Sequence, residues 1–278
     1  MENDNKEAGG GNFEGAGQKP NDEVMHPSFI NTLNTRDRIK KKLSNIKHKI
    51  GIYSAKGGVG KTTVAVNIAY ELSKKGFSVG LLDADIDCPN ITMFLGISEM
   101  MDTASFPLKP LVKEGVKVAS TAMLVDDLKK PIIWRGPIIV KMLYDFFENT
   151  DWGPLDYLII DLPPGTSDAP LTIMQVLDID GFVIVTTPQK IAMLNSIRSA
   201  MMARRLGKAV LGVVDNMYEG SEESMDELLK ASGAKMIGRI GRDRRFSEAS
   251  DNGEVAVLKY EDIDSAFSGI VNGLVGGK

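Results

Sequence analysis

The stretch SAKGGVGKTT, residues 54–63, lies between KIGIYS (49–54) and TTVAVNIAYELSKK (62–75). KIGIYS is a short apolar run of strand type, and Val64, Ile68 and Leu72 follow at helical spacing. The quoted residues therefore form a strand-to-helix turn, the context a phosphate-binding loop requires. Gly57, Gly58 and Gly60, with Val59 between them, let backbone N–H groups turn inward around phosphate oxygens, and the helix start adds partial positive charge. Lys61 is placed to reach the β and γ phosphates of ATP, with the Thr62 hydroxyl on Mg²⁺ and Thr63 beside it. The general pattern G-x-x-x-x-G-K-[ST] fails at its first position, which is Ala55. A second lysine, Lys56, is one more than a phosphate loop ordinarily needs.

Outward from the loop, short β-type runs alternate with helical patterns. The runs are KIGIYS, SVGLLD, VKVAS, YLIID, FVIVTT, AVLGVV and MIGRI; the helical segments cover about 61–75, 137–149, 190–206, 223–232 and 262–275. Several runs are apolar at consecutive positions, as in strands covered on both faces. The spacing predicts an α/β fold, a doubly wound and mostly parallel sheet with helices on both faces. Ligands in such sheets bind at the carboxyl ends of strands, so the loops after KIGIYS, SVGLLD and YLIID are where chemistry is expected.

Two of those loops are acidic. LLDADIDCPN (81–90) presents Asp83, Asp85 and Asp87, and YLIID (157–161) ends in Asp161 before PPG. An Mg²⁺–ATP site needs carboxylates to hold the metal's waters and orient an attacking water. Asp161 is assigned to Mg²⁺ together with Thr62, and Asp83 and Asp85 jointly to water positioning. Asp87 reads as a solvated turn residue. The prolines at 163 and 164 stop the strand, and Gly165 permits a tight turn where a γ-phosphate is sensed.

KGGVGKTT resembles the deviant Walker A of the ParA/MinD-type ATPases. That resemblance implies that Lys56 crosses a dimer interface to the partner's nucleotide, where a cation in trans would act as an arginine finger does. WRGP (134–137), DLPPGTSD (161–168), LTIMQ (171–175), VIVTTPQ (183–189) and GVVDNM (212–217) narrow the likeness. With the acidic loop, they resemble the Mrp/ApbC/Nbp-type iron–sulfur cluster carriers from about Lys49 to Val257. The resemblance implies a homodimeric P-loop ATPase that hands an iron–sulfur cluster to apo-proteins, with Asn216 on the adenine base. RDRRFSEASDNGEVAV (242–257) resembles the late nucleotide-side segment, with Gly241 and Arg242 where the family has a proline.

One departure bears on cargo. After NM the family continues into C-x-x-C, whereas this chain reads NMYEGSEESMDELL and holds one cysteine, Cys88. Thiolate-ligated clusters usually use four cysteines; a dimer of this chain supplies two. Cys88 reads as a small residue at a position the family fills with glycine, with metal or redox use as the alternative. The function expected is thus Mg²⁺–ATP hydrolysis coupled to cluster carriage with apo-iron–sulfur proteins or assembly factors as partners; the alternative is a cluster-less, ATP-switched scaffold or positioning protein.

The remaining features narrow the class. A net charge of −4 gives no overall pull toward nucleic acid. Residues 1–35 are rich in Gly, Asn, Asp and Glu and read as a disordered tail, ahead of a single ATPase domain over 36–278. RDRIKKKLSNIKHK (36–49) reads as a solvated lead-in helix with Ile39, Leu43 and Ile46 on one stripe, or as a site for an acidic partner or nucleic acid. Phe267, Ile270, Val271 and Leu274 form a stripe without a basic face, which reads as core packing rather than membrane attachment. With no secretory start, no spanning segment and one cysteine, a cytoplasmic protein is expected. His26 and His48 are isolated, and neither suggests a metal site. Trp134 and Arg135 are read either as partner contacts or as ordinary packing.

Overall fold

The computed structural model describes residues 27–104, 106–124, 136–166, 168–220 and 225–276. Eight strands form one sheet: β1 (Ile46–Tyr53), β2 (Val79–Asp83), β3 (Leu111–Lys113), β4 (Val116–Ser120), β5 (Leu155–Asp161), β6 (Gly181–Thr186), β7 (Ala209–Tyr218) and β8 (Met236–Gly241). Their order is β3-β4-β2-β5-β1-β6-β7-β8, parallel throughout except for β3 against β4. The chain winds away from β1 in both directions, so the doubly wound sheet is as expected. β2 and β6 are buried at every residue, which is why they read as continuous apolar runs rather than alternating ones.

The described helices are α1 (Pro27–Lys42), α2 (Lys61–Lys74), α3 (Ile91–Phe94), α4 (Gly136–Asn149), α5 (Asp168–Val176), α6 (Lys190–Arg205), α7 (Asp226–Ser232), α8 (Arg245–Asp251), α9 (Ala256–Lys259) and α10 (Glu261–Val275). The five helical segments expected from periodicity match α2, α4, α6, α7 and α10. In α10, Phe267, Ile270 and Val271 are buried against β8 and α2. Each such side chain contributes about 2 kcal/mol by leaving water. The apolar stripe is therefore core. Among the described residues no helix is long and apolar enough to cross a membrane.

The lead-in helix differs from expectation in where it begins. It begins at Pro27, inside the stretch read as a disordered tail; residues 1–26 lie outside the described residues. Its basic side chains are mostly exposed, as expected, and several of them also make pairs. Arg38 pairs with Glu148 at 2.5 Å, Lys40 with Asp178 at 3.3 Å, and Arg36 and Lys42 donate to the carbonyls of Gln175 and Glu148. Ile39 and Leu43 are buried beneath them, and α1 packs on α4 and α5. Ile46 belongs to β1, not the helix.

The edge strand β3 was not expected. It turns into β4 through Glu114 and Gly115, both at positive φ (47° and 86°), a two-residue hairpin loop whose conformation matches strand twist. The register at the centre of the sheet builds the site. Asp161 lies level with Ile52 of β1 on one side and with Asp83 of β2 on the other. The phosphate loop leaves β1 two residues later.

Candidate functional site: a phosphate loop closed on a strand-end aspartate

The loop carries its strain on glycine. Gly58 and Gly60 have φ of 80° and 84°, which L side chains rarely adopt. Gly60 is also the residue before the first turn of α2 and offers that turn no side-chain cap, so the helix's first N–H groups face the loop. A Cβ on Gly60 would fall 2.1 Å from Asn216 Nδ2. Asn216 comes this close because its amide donates to the Val59 carbonyl at 2.8 Å. Asn216, in β7, is thereby pinned to the phosphate loop.

Lys61 and Thr62 converge on one carboxylate. Lys61 Nζ is 2.6 Å from Asp161 Oδ1, and Thr62 Oγ1 donates to Asp161 Oδ2 at 2.6 Å. Lys61 also stands 3.9 Å from Asp85 Oδ2. This hydroxyl and carboxylate form a hard oxygen donor set, of the kind that suits Mg²⁺ held partly through water.

Asp83 and Asp85 separate in the structure. Asp83 is fully buried. Its Oδ2 accepts from Ile91 N at 3.0 Å and Ser120 Oγ at 3.2 Å, and its Oδ1 from Asp85 N at 3.2 Å. Burial, reinforced by the Asp161 charge, pushes the Asp83 carboxyl up to about 7. Burial likewise raises Asp85 to about 6 against the opposing pull of Lys61. Both Asp83 oxygens are spent holding the acidic loop, and Asp85 is the member that faces Lys61. Asp87 and Cys88 are exposed, and Cys88 N donates to Asp85 Oδ1 at 3.3 Å.

Lys56 is exposed, and its ammonium makes no ion pair among the described residues. It lines a cavity of about 560 Å³ with Gly57, Val59, Gln189, Met217 and Arg242. A neighbouring cavity of about 370 Å³ is lined by Thr63, Asn216, Met217, Arg242 and Phe246. Together they give room for a nucleotide running from the phosphate loop toward β7 and β8. Trp134 and Arg135 lie outside the described residues. Among the described residues no group of three or more His, Cys, Asp or Glu side chains is arranged to hold a metal ion.

The residues singled out in the three loops thus meet at one end of the sheet. Sequence reasoning missed Ser120, which helps to hold Asp83, and Tyr53, whose hydroxyl donates to the Gly165 carbonyl at 2.6 Å. The position of Tyr53, directly before the loop, was the available signal.

A phosphate loop of this form at the centre of a doubly wound parallel sheet is the architecture of a P-loop NTPase. The chain belongs to the ParA-type family of NUBPL iron-transfer P-loop NTPases, which it matches over residues 45–275. It is 41% identical over 259 residues to the iron–sulfur cluster carrier protein of Methanocaldococcus jannaschii, covering 86% of this chain and 87% of that one. To the Pyrococcus horikoshii iron–sulfur cluster carrier protein it is 37% identical over 253 residues, covering 82% and 85%. Among solved structures it resembles the nucleotide-binding protein of Archaeoglobus fulgidus in complex with ADP, with TM-score 0.68, 36% identity, and 79% and 92% of the two chains covered. It shares its fold with the septum site-determining protein MinD of Pyrococcus horikoshii complexed with Mg-ADP, with TM-score 0.63, 22% identity, and 83% and 97% covered.

Proposed function

We propose that this chain is a homodimeric ATPase that works with Mg²⁺. The observation that carries the reading is the convergence of Lys61 and Thr62 on Asp161 at 2.6 Å each. Lys61 and the N–H groups of residues 57–63 bind the phosphates, and Asn216 faces the adenine base. Thr62 and Asp161 would hold Mg²⁺, which neutralises charge on the β and γ phosphates. Asp85 positions the attacking water, while Asp83 fixes the backbone that carries Asp85. Lys56, exposed at the cavity, reaches the partner's nucleotide and neutralises charge on the transferred phosphoryl group. Phosphate release from ATP, measured with and without Mg²⁺, tests the reading. Wild type should hydrolyse only with Mg²⁺ and Lys61→Ala not at all; equal release by the two proteins overturns it.

Two readings of the cargo follow. Family membership and the likeness to cluster carriers support transfer of an iron–sulfur cluster to apo-proteins. The single cysteine supports a cluster-less ATP-switched scaffold, because two Cys88 thiolates per dimer are half the usual ligand set. Anaerobic reconstitution with iron and sulfide, followed by metal analysis, separates them. Bound cluster that disappears in Cys88→Ser supports carriage through a site other than the usual one; no bound iron in wild type leaves the scaffold reading.

A further inference from the structure

Tyr53, the last residue of β1, is fully buried against Phe182 and takes no part in the chemistry above. Its hydroxyl donates to the Gly165 carbonyl at 2.6 Å, while Gly165 N donates to the carbonyl of the next residue, Ser54, at 3.0 Å. Gly165 is thus held through both backbone polar groups by the two residues that enter the phosphate loop. Ser54 extends the tie, since its hydroxyl donates to the Lys56 carbonyl at 3.0 Å. Gly165 has φ 88° and would meet nothing within 4 Å if a Cβ were added, so conformation rather than space demands glycine there.

With its N–H committed to Ser54, Gly165 has no donor free for a phosphate. A γ-phosphate that draws on this N–H must release the turn, and a tyrosine with a single acceptor would then be left with a buried, unpaired hydroxyl. A second acceptor is at hand. Ser199 of α6 is fully buried with its hydroxyl directed at the Tyr53 phenol, and it makes no hydrogen bond to any other group among the described residues. Burial pushes the phenol up to about 12, so it keeps its proton and remains a donor at any physiological pH.

We propose that Tyr53 and Ser199 are positioning residues that set the preference for nucleoside triphosphate over diphosphate: the Tyr53 hydroxyl passes from the Gly165 carbonyl to Ser199 Oγ when a γ-phosphate takes up the Gly165 turn. The inference rests on the ATPase reading. Removing the phenol hydroxyl removes the hold on the diphosphate-state turn, whereas removing the serine hydroxyl leaves the released phenol without an acceptor. The two substitutions therefore act in opposite directions.

The test is calorimetric titration of the full chain with Mg-ADP and with a nonhydrolysable ATP analogue plus Mg²⁺. Tyr53→Phe should raise the triphosphate-to-diphosphate affinity ratio about fivefold and Ser199→Ala lower it about fivefold, the factor expected for one ordinary hydrogen bond. In the double variant the Ser199→Ala effect should vanish, because it acts only through the phenol. A purely structural hydroxyl would weaken both nucleotides alike. Parallel losses, an unchanged ratio, or a Ser199→Ala effect that persists without the phenol overturns the inference while leaving the ATPase reading intact. Wild type that binds neither nucleotide overturns the ATPase reading and this inference with it.

Discussion

Lys61 Nζ and Asp161 Oδ1 are 2.6 Å apart in a pocket where both residues are buried, and Asp85 Oδ2 stands 3.9 Å from the same ammonium. One cation serves two carboxylates. Removing it leaves buried charge uncompensated, whereas neutralising Asp161 relieves crowding. Lys61→Ala should therefore cost about 3 kcal/mol of stability, and Asp161→Asn distinctly less, in denaturant titrations of the nucleotide-free protein. Equal losses would show that the lysine is not the shared counter-ion.

Asp161→Asn should separate metal from phosphate. The loop and Lys61 remain, so binding of ADP without Mg²⁺ should survive. The tightening produced by Mg²⁺ should be lost, with hydrolysis falling by about 100-fold or more. Titrations with and without Mg²⁺ check this; a full Mg²⁺ effect in the variant would remove Asp161 from the metal site.

Stability should fall as pH rises. Asp83 and Asp85 have ordinary carboxylate values near 3.8 when unfolded and are raised to about 7 and about 6 when folded. A raised carboxyl favours the folded state fully below its unfolded value, and that contribution is lost as pH climbs through the folded value. Across pH 5–8, thermal midpoints of nucleotide-free wild type should decline more steeply than those of Asp83→Asn. Parallel curves would mean that Asp83 is not held protonated by its surroundings.

Two glycines at close contacts should fail differently. A Cβ on Gly60 meets Asn216 and must adopt φ 84°, so Gly60→Ala should abolish nucleotide binding. A Cβ on Gly238 meets Ile270 Cγ1 at 2.2 Å, far from the phosphate loop, so Gly238→Ala should cost about 1–3 kcal/mol while leaving nucleotide affinity unchanged. Calorimetry and denaturant midpoints on both variants read the contrast.

The sheet was legible because its central strands are covered on both faces, which leaves uninterrupted apolar runs, and because the phosphate loop carries Gly58 and Gly60 at positions where φ is positive. The start of α1 was not legible. Phe29, Ile30 and Leu33 in its first turns continue directly from a Gly-, Asn- and Asp-rich stretch that masks them, and part of its hold on the body comes from salt bridges to Glu148 and Asp178, over a hundred residues away. β3 is three residues long and depends on the Glu114–Gly115 turn rather than on its own pattern. Asp83 and Asp85 look equivalent in LLDADID, and only Ser120 and the Ile91 amide, brought in by β4 and α3, tell them apart. The Tyr53 tie to Gly165 spans two strands and leaves no trace in local spacing.

The measurement that reaches the central claim most directly is hydrolysis by mixed subunits. Lys56→Ala and Asp85→Ala homodimers should each be inactive. If Lys56 acts across the dimer, a mixed dimer contains one site with its own Asp85 and the partner's Lys56 both intact. Remixing inactive subunits one to one should then restore about a quarter of wild-type activity, since about half the dimers are mixed and each has one working site. No recovery, with mixed dimers verified to form, would place Lys56 in its own subunit's site and contradict the account.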